Sequence, residues 1–164
     1  MEVNDNSLRL SSLIDNLILE LGEIDCGKIL QILLAITFVR VGFKITSFQL
    51  TGEPDFIADS SDILNIEVKT TQNNKISVDD KILKSASTLA VMFIDPTDTK
   101  WIIADTKNLY KRTYSKFDFQ RAQLRDLEQK INKIFINIFE ENLKYAENGV
   151  DALYYEFKVR YLNK

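Results

Sequence analysis

Gly52-Glu53-Pro54-Asp55-Phe56-Ile57-Ala58, followed eight residues on by Ile66-Glu67-Val68-Lys69, is the stretch on which the reading of this chain turns. Residues two apart in a strand share a face, so Glu67 and Lys69 project together about 7 Å apart while Ile66 and Val68 turn to the core. Pro54 cannot sit inside a strand, which makes Asp55 the opening residue of the neighbouring one. A hairpin-like return between DFIAD and ILNIEVKTT then brings the Asp55 carboxylate beside that of Glu67. Two convergent carboxylates are suitable oxygen ligands for a hard divalent cation such as magnesium, which neutralises a phosphodiester and activates water. Lys69 orients the nucleophile or stabilises developing charge.

Composition narrows the chemistry further. The chain has 164 residues, 45% of them hydrophobic, one cysteine (Cys26) and no histidine. That length fits one domain over residues 1–164 with a sizeable core. An internal disulfide, histidine zinc sites and a Ser-His-Asp triad are excluded, leaving carboxylates, lysines, hydroxyls or a bound ion for any hydrolysis. The overall charge of −3 hides an asymmetry: residues 1–26 hold six acids and Arg9 alone, a net of −5, and the rest a net of +2. The acidic N-terminus does not read as a signal peptide, and the longest apolar run, ILQILLAITFVRV, is too short to span a bilayer. A soluble, cytoplasmic protein without a membrane partner is expected.

Outward from the central stretch, Leu10, Leu13, Ile14, Leu17, Ile18 and Leu21 have helical spacing up to Gly22, and a nearly apolar run from Cys26 to Val41 reads as a covered helix ended by Gly42. FKITSFQL loses its alternation near Ser47, which predicts a strand with a bulge. Ser77 or Asp79 caps a helix expected over 79–89, with Ile82, Leu83, Ala86 and Leu89 or Ala90 inward. LAVMFID and KWIIAD read as strands and KNLYKRTYSKFD as a loop. Leu124, Leu127, Ile131, Ile134 and Ile138 form a helical stripe that needs the sheet or another copy of the chain as partner. Residues 150 onward read as a helix or an edge strand. The order calls for an α/β fold, a mixed central sheet flanked by helices.

An isolated E-x-K is more often a surface ion pair, but here it follows an apolar helix, a glycine, a strand and P-D. In that order the chain resembles the PD-(D/E)xK nuclease superfamily, and within it the archaeal Holliday junction resolvases and restriction-endonuclease-like proteins. The matching region is 27–105, between the acidic segment 1–26 and a mainly helical extension, 120–164. It includes Gly42-Phe43, Asp55, Glu67-Val68-Lys69, Ile76-Ser77-Val78-Asp79, and Leu89-Ala90-Val91-Met92-Phe93 with Trp101 downstream. The resemblance implies a restriction-endonuclease-like fold, Asp55 and Glu67 as ligands of Mg2+ (or Mn2+), Lys69 as the catalytic lysine, DNA as substrate and a homodimer. Gln31 stands where the family carries an acid in its first helix. It either hydrogen-bonds a metal-bound water or is an ordinary polar residue, with Glu23 or Asp25 as replacement acid. Thr51 matches a hydroxyl used near the scissile phosphate. The family's basic N-terminal arm has no counterpart.

Lys75, Lys81 and Lys84 flank the site as candidate phosphate contacts, and Lys107, Lys111, Arg112 and Lys116 interleave with Tyr110, Tyr114 and Phe117 in a second basic cluster. The leading expectation is a metal-dependent endodeoxyribonuclease, resolvase-like in the fullest form of the resemblance. The alternatives are a weak or inactive nuclease-fold module that binds DNA or a protein, and a structural homo-oligomer. Glu67 and Lys69 buried in the core, or Asp55 far from Glu67, would favour the last.

Overall fold

The computed structural model describes residues 5–52 and 54–162. Two helices, α1 (Asp5–Leu21) and α2 (Glu23–Arg40), precede three strands, β1 (Lys44–Phe48), β2 (Phe56–Asp59) and β3 (Ile63–Thr71). A short strand β4 (Lys75–Val78) and helix α3 (Asp80–Ser85) lead to β5 (Thr88–Phe93), β6 (Trp101–Asp105) and β7 (Arg112–Ser115). Helices α4 (Arg125–Glu141), α5 (Leu143–Ala146) and α6 (Val150–Arg160) complete the chain.

The main sheet has the order β1-β2-β3-β5-β6, with β3 and β5 parallel and the other neighbours antiparallel. β5 is buried on both faces, which accounts for its uninterrupted apolar sequence. One face carries Ile66, Ala90, Met92 and Trp101 into a core shared with α1, α2, α4 and α6. The other carries Leu89, Val91 and Ile102 against Val78, Ile82, Tyr114 and Phe119. This mixed sheet between helices, with additional C-terminal helices, matches a restriction-endonuclease-like α/β fold.

Local sequence explains much of this. α2 is apolar nearly all round because the sheet, α1, α4 and α6 cover it, and its residues Ile29 to Phe38 are all buried. It stops where Gly42 adopts φ 106°, a conformation that disfavours side chains. In β1 the register shifts between Ile45 and Ser47, so Ile45 and Phe48, three residues apart, both reach the core. Residues 150–160 form a helix rather than an edge strand.

Two sequence expectations need correction. The helix expected over 79–89 is only α3: Asp79 caps it by accepting from Ile82 N–H at 2.9 Å, and Leu89 and Ala90 belong to β5. The expected loop KNLYKRTYSKFD contains β7, which pairs antiparallel with β4 in a second, two-stranded sheet. The C-terminal stripe finds its partner within the chain, where α4 lies on α2 and β6.

Candidate ion site at the edge of strand β3

β2 begins at Phe56, opposite Ile66, so β3 runs on from Glu67 with no β2 residue in the ladder beside it. Asp55 stands at this edge. Continuing the register by one residue sets it opposite Glu67, and directly opposed antiparallel positions hold their Cβ atoms about 5 Å apart. One Asp55 carboxylate oxygen, Oδ2, accepts from Val68 N–H at 2.8 Å, where a further strand residue would otherwise supply a carbonyl. Pro54, with no N–H to offer a ladder, precedes the start of β2. Asp55 is 9% and Glu67 3% exposed. The Lys69 side chain, 43% exposed, places Nζ 3.8 Å from Glu67 Oε2.

The other wall is α2. Gly27 permits the close approach, since a Cβ there would lie 3.3 Å from Thr70 Oγ1. Gln31, 6% exposed, donates from Nε2 to the Gln49 carbonyl at 2.7 Å, and Gln49 N–H donates in turn to the Asp55 carbonyl at 2.8 Å. The helix is thereby tied to the segment that carries Asp55. One N–H of the Gln31 amide is committed to this bond, and its carbonyl oxygen is the atom able to accept from a water or meet an ion.

Gln31, Asp55, Glu67 and Lys69 thus line one open depression of about 410 Å³, together with Glu23 and Lys28. Glu23, expected as one replacement acid, reaches its wall; Asp25 does not line it. Thr51, Lys75 and Lys81 are exposed and stand outside its lining. Val68, expected in the core, is half-buried and borders the depression. A larger cavity of about 780 Å³ lies at the start of β3 and β5, around Ile63, Thr88 and Asp105; Lys107 of the second basic cluster lines it, and Gln31, Thr51, Asp55, Glu67, Lys69, Lys75 and Lys81 do not.

Among the described residues no group of three or more His, Cys, Asp or Glu is placed to hold one ion. Two oxygen donors nevertheless suit magnesium, which commonly binds through one or two carboxylates and keeps several waters. The second basic cluster is largely neutralised from within. Lys107 meets Asp105 at 3.5 Å, Lys111 meets Asp80 at 3.3 Å, Arg112 meets Asp118 at 3.4 Å, and Lys116 meets both Asp95 and Asp98. Tyr114 is buried, while Tyr110 and Phe117 are exposed. Backbone and side-chain hydrogen bonds from Thr97 hold the Asp95 carboxyl below its usual range.

The Gln31–Gln49 bond was beyond sequence reasoning: a glutamine on an apolar helix carries no signal of a carbonyl eighteen residues away. No family model and no curated protein matches the sequence. Solved structures to which the chain is similar include a Holliday junction resolvase, Hjc, from the archaeal hyperthermophile Archaeoglobus fulgidus, at 15% identity and a TM-score of 0.42, over 58% of this chain and 89% of that one.

Proposed function

We propose that the chain is a catalytically weak nuclease-fold module that binds DNA and holds a divalent cation loosely between Asp55 and Glu67. The observation that carries this reading is the donor set: two carboxylates and a lysine meet at the edge of β3, with the neutral amide of Gln31 on the facing helix. Magnesium bound there supplies charge neutralisation for a phosphodiester and acidifies water. Asp55 presents a carboxylate already oriented by Val68 N–H. Lys69 keeps a positive charge beside Glu67 and offers donors to a phosphate oxygen. Gln31 fixes the helix wall and adds no charge, which leaves ion affinity and transition-state stabilisation low. Thr51, Lys75 and Lys81 serve as outlying DNA contacts in this reading.

A second reading, a fully active Mg2+-dependent endodeoxyribonuclease of resolvase type acting as a homodimer, is favoured by Lys69 lying 3.8 Å from Glu67 Oε2. Labelled four-way junction, duplex and single strand, incubated with Mg2+, Mn2+ or EDTA, separate the two. Slow or undetectable cleavage by wild type, raised roughly tenfold or more by Gln31→Glu, is the expected result. Rapid wild-type cleavage abolished by EDTA supports the second reading instead. Because glutamate cannot donate to the Gln49 carbonyl, the variant is compared with wild type in thermal unfolding, and no gain from a Gln31→Glu variant of unchanged stability contradicts the role given to Gln31.

A further inference from the structure

The ion-site depression does not end at Lys69. It shares Glu23, Gly27 and Thr70 with a smaller cavity of about 130 Å³. That cavity shares Gln72, Asn73 and Ile94 with a third, of about 490 Å³, walled by Phe93 and Phe117. The three depressions thus adjoin one another along the end of β3 away from Asp55 and Glu67, as a track narrowed where Gly27 meets Thr70. Its floor, Thr70-Thr71-Gln72-Asn73-Asn74, is five successive uncharged polar residues. The last three are exposed, and the Phe117 ring beside them is 75% exposed. Lys116 lies 3.6 Å from Asp95 and 3.2 Å from Asp98, and Lys100 lies 3.7 Å from Asp98, so two lysines and two carboxylates balance at the far end. A ring and amides, rather than net positive charge, are what this end offers a ligand.

We propose that the track seats an unpaired DNA strand leaving the ion site, with one base stacked on Phe117 and its edge met by the amides of Gln72, Asn73 and Asn74. The proposal rests on the reading of the chain as a DNA-binding nuclease-fold module and names the form of DNA that it takes. From Lys69 to Asn74 the chain advances five residues, at most about 17 Å at strand rise. That length accommodates at most about five nucleotides at the stacked spacing of about 3.4 Å. A base inside a duplex has both faces covered and its pairing edge occupied, so it can use neither the ring nor the amides. An unpaired base uses both: aromatic rings accept any base face, and glutamine and asparagine carry donor and acceptor together.

Fluorescence anisotropy in EDTA, with a labelled 15-nucleotide single strand and its duplex, tests this in wild type, Phe117→Ala and Phe117→Trp. The expected result is preference of wild type for the strand, with strand binding weakened roughly 5- to 100-fold by Phe117→Ala and duplex binding unchanged. Phe117→Trp retains strand affinity, and its added indole emission, read against the buried Trp101, is quenched as strand is titrated. Equal strand affinity of wild type and Phe117→Ala overturns the proposal. So does quenching that follows protein concentration instead of DNA, which assigns the ring to contact with a second copy. Because EDTA removes ion chemistry, failure of the weak-catalysis reading shows in the cleavage assay and failure of the track shows here.

Discussion

Cys26, next to Gly27 on the helix that walls the candidate ion site, is 1% exposed with its thiol directed to the Ile14 carbonyl at 3.9 Å. Burial, reinforced by the charge of Asp15, pushes its pKa from 9.0 up to about 12. The unfolded thiol ionises near pH 9 and the folded one near 12, so the folded state is penalised progressively as pH rises between those values. The midpoint of urea unfolding is therefore expected to fall from pH 9 to 11, and to fall less in Cys26→Ala; equal slopes contradict the assignment. The meeting of Asp55, Glu67 and Lys69 at one strand edge was readable from sequence because Pro54 marks a strand start and strand alternation is strictly local. The anchoring of Gln31 to Gln49 was not, since it depends on how α2 and β1 meet.

At the scale of elements, β6 is an outer strand of the main sheet whose backbone is covered rather than left open. Asn132 on α4 accepts from Trp101 N–H at 2.8 Å and donates to Trp101 C=O at 2.9 Å, and Glu128 accepts from Ile103 N–H at 3.0 Å. The segment before α4 adds bonds between Leu124 and Ile103 and between Asp105 and Ala122. Helix α4 thus both packs on the sheet and blocks pairing along that edge. Asn132→Ala removes both partners of a buried residue's backbone and is expected to cost about 1–3 kcal/mol in chemical denaturation; a change below about 0.3 kcal/mol would show that water replaces the side chain. The α4 stripe was legible because its apolar residues recur at three and four. β4 and β7 were not, because each is four residues long and its partner lies on the far side of α3, β5 and β6. The end of α3 was misplaced for a related reason: the apolar residues of a strand buried on both faces, β5, satisfy a helical stripe as well.

For the whole molecule, the described helices include none long and apolar enough to cross a membrane. A net charge of −3 gives no broad electrostatic attraction for DNA, so the DNA binding proposed above requires local groups around the β3 edge and the track beyond it. The acidic junction between α1 and α2 brings Glu23 to the ion-site wall, close to Lys28, and keeps that mouth from becoming a basic surface. Everything proposed for the molecule depends on whether the β3 edge is an ion site at all. Calorimetric titration of Mn2+ and Mg2+ into wild type, Asp55→Ala and Glu67→Ala, with folding monitored by circular dichroism, addresses this directly. One weak site per chain in wild type, absent from both folded variants, is predicted. Unchanged ion binding in the folded variants, or unfolding of both, would contradict it.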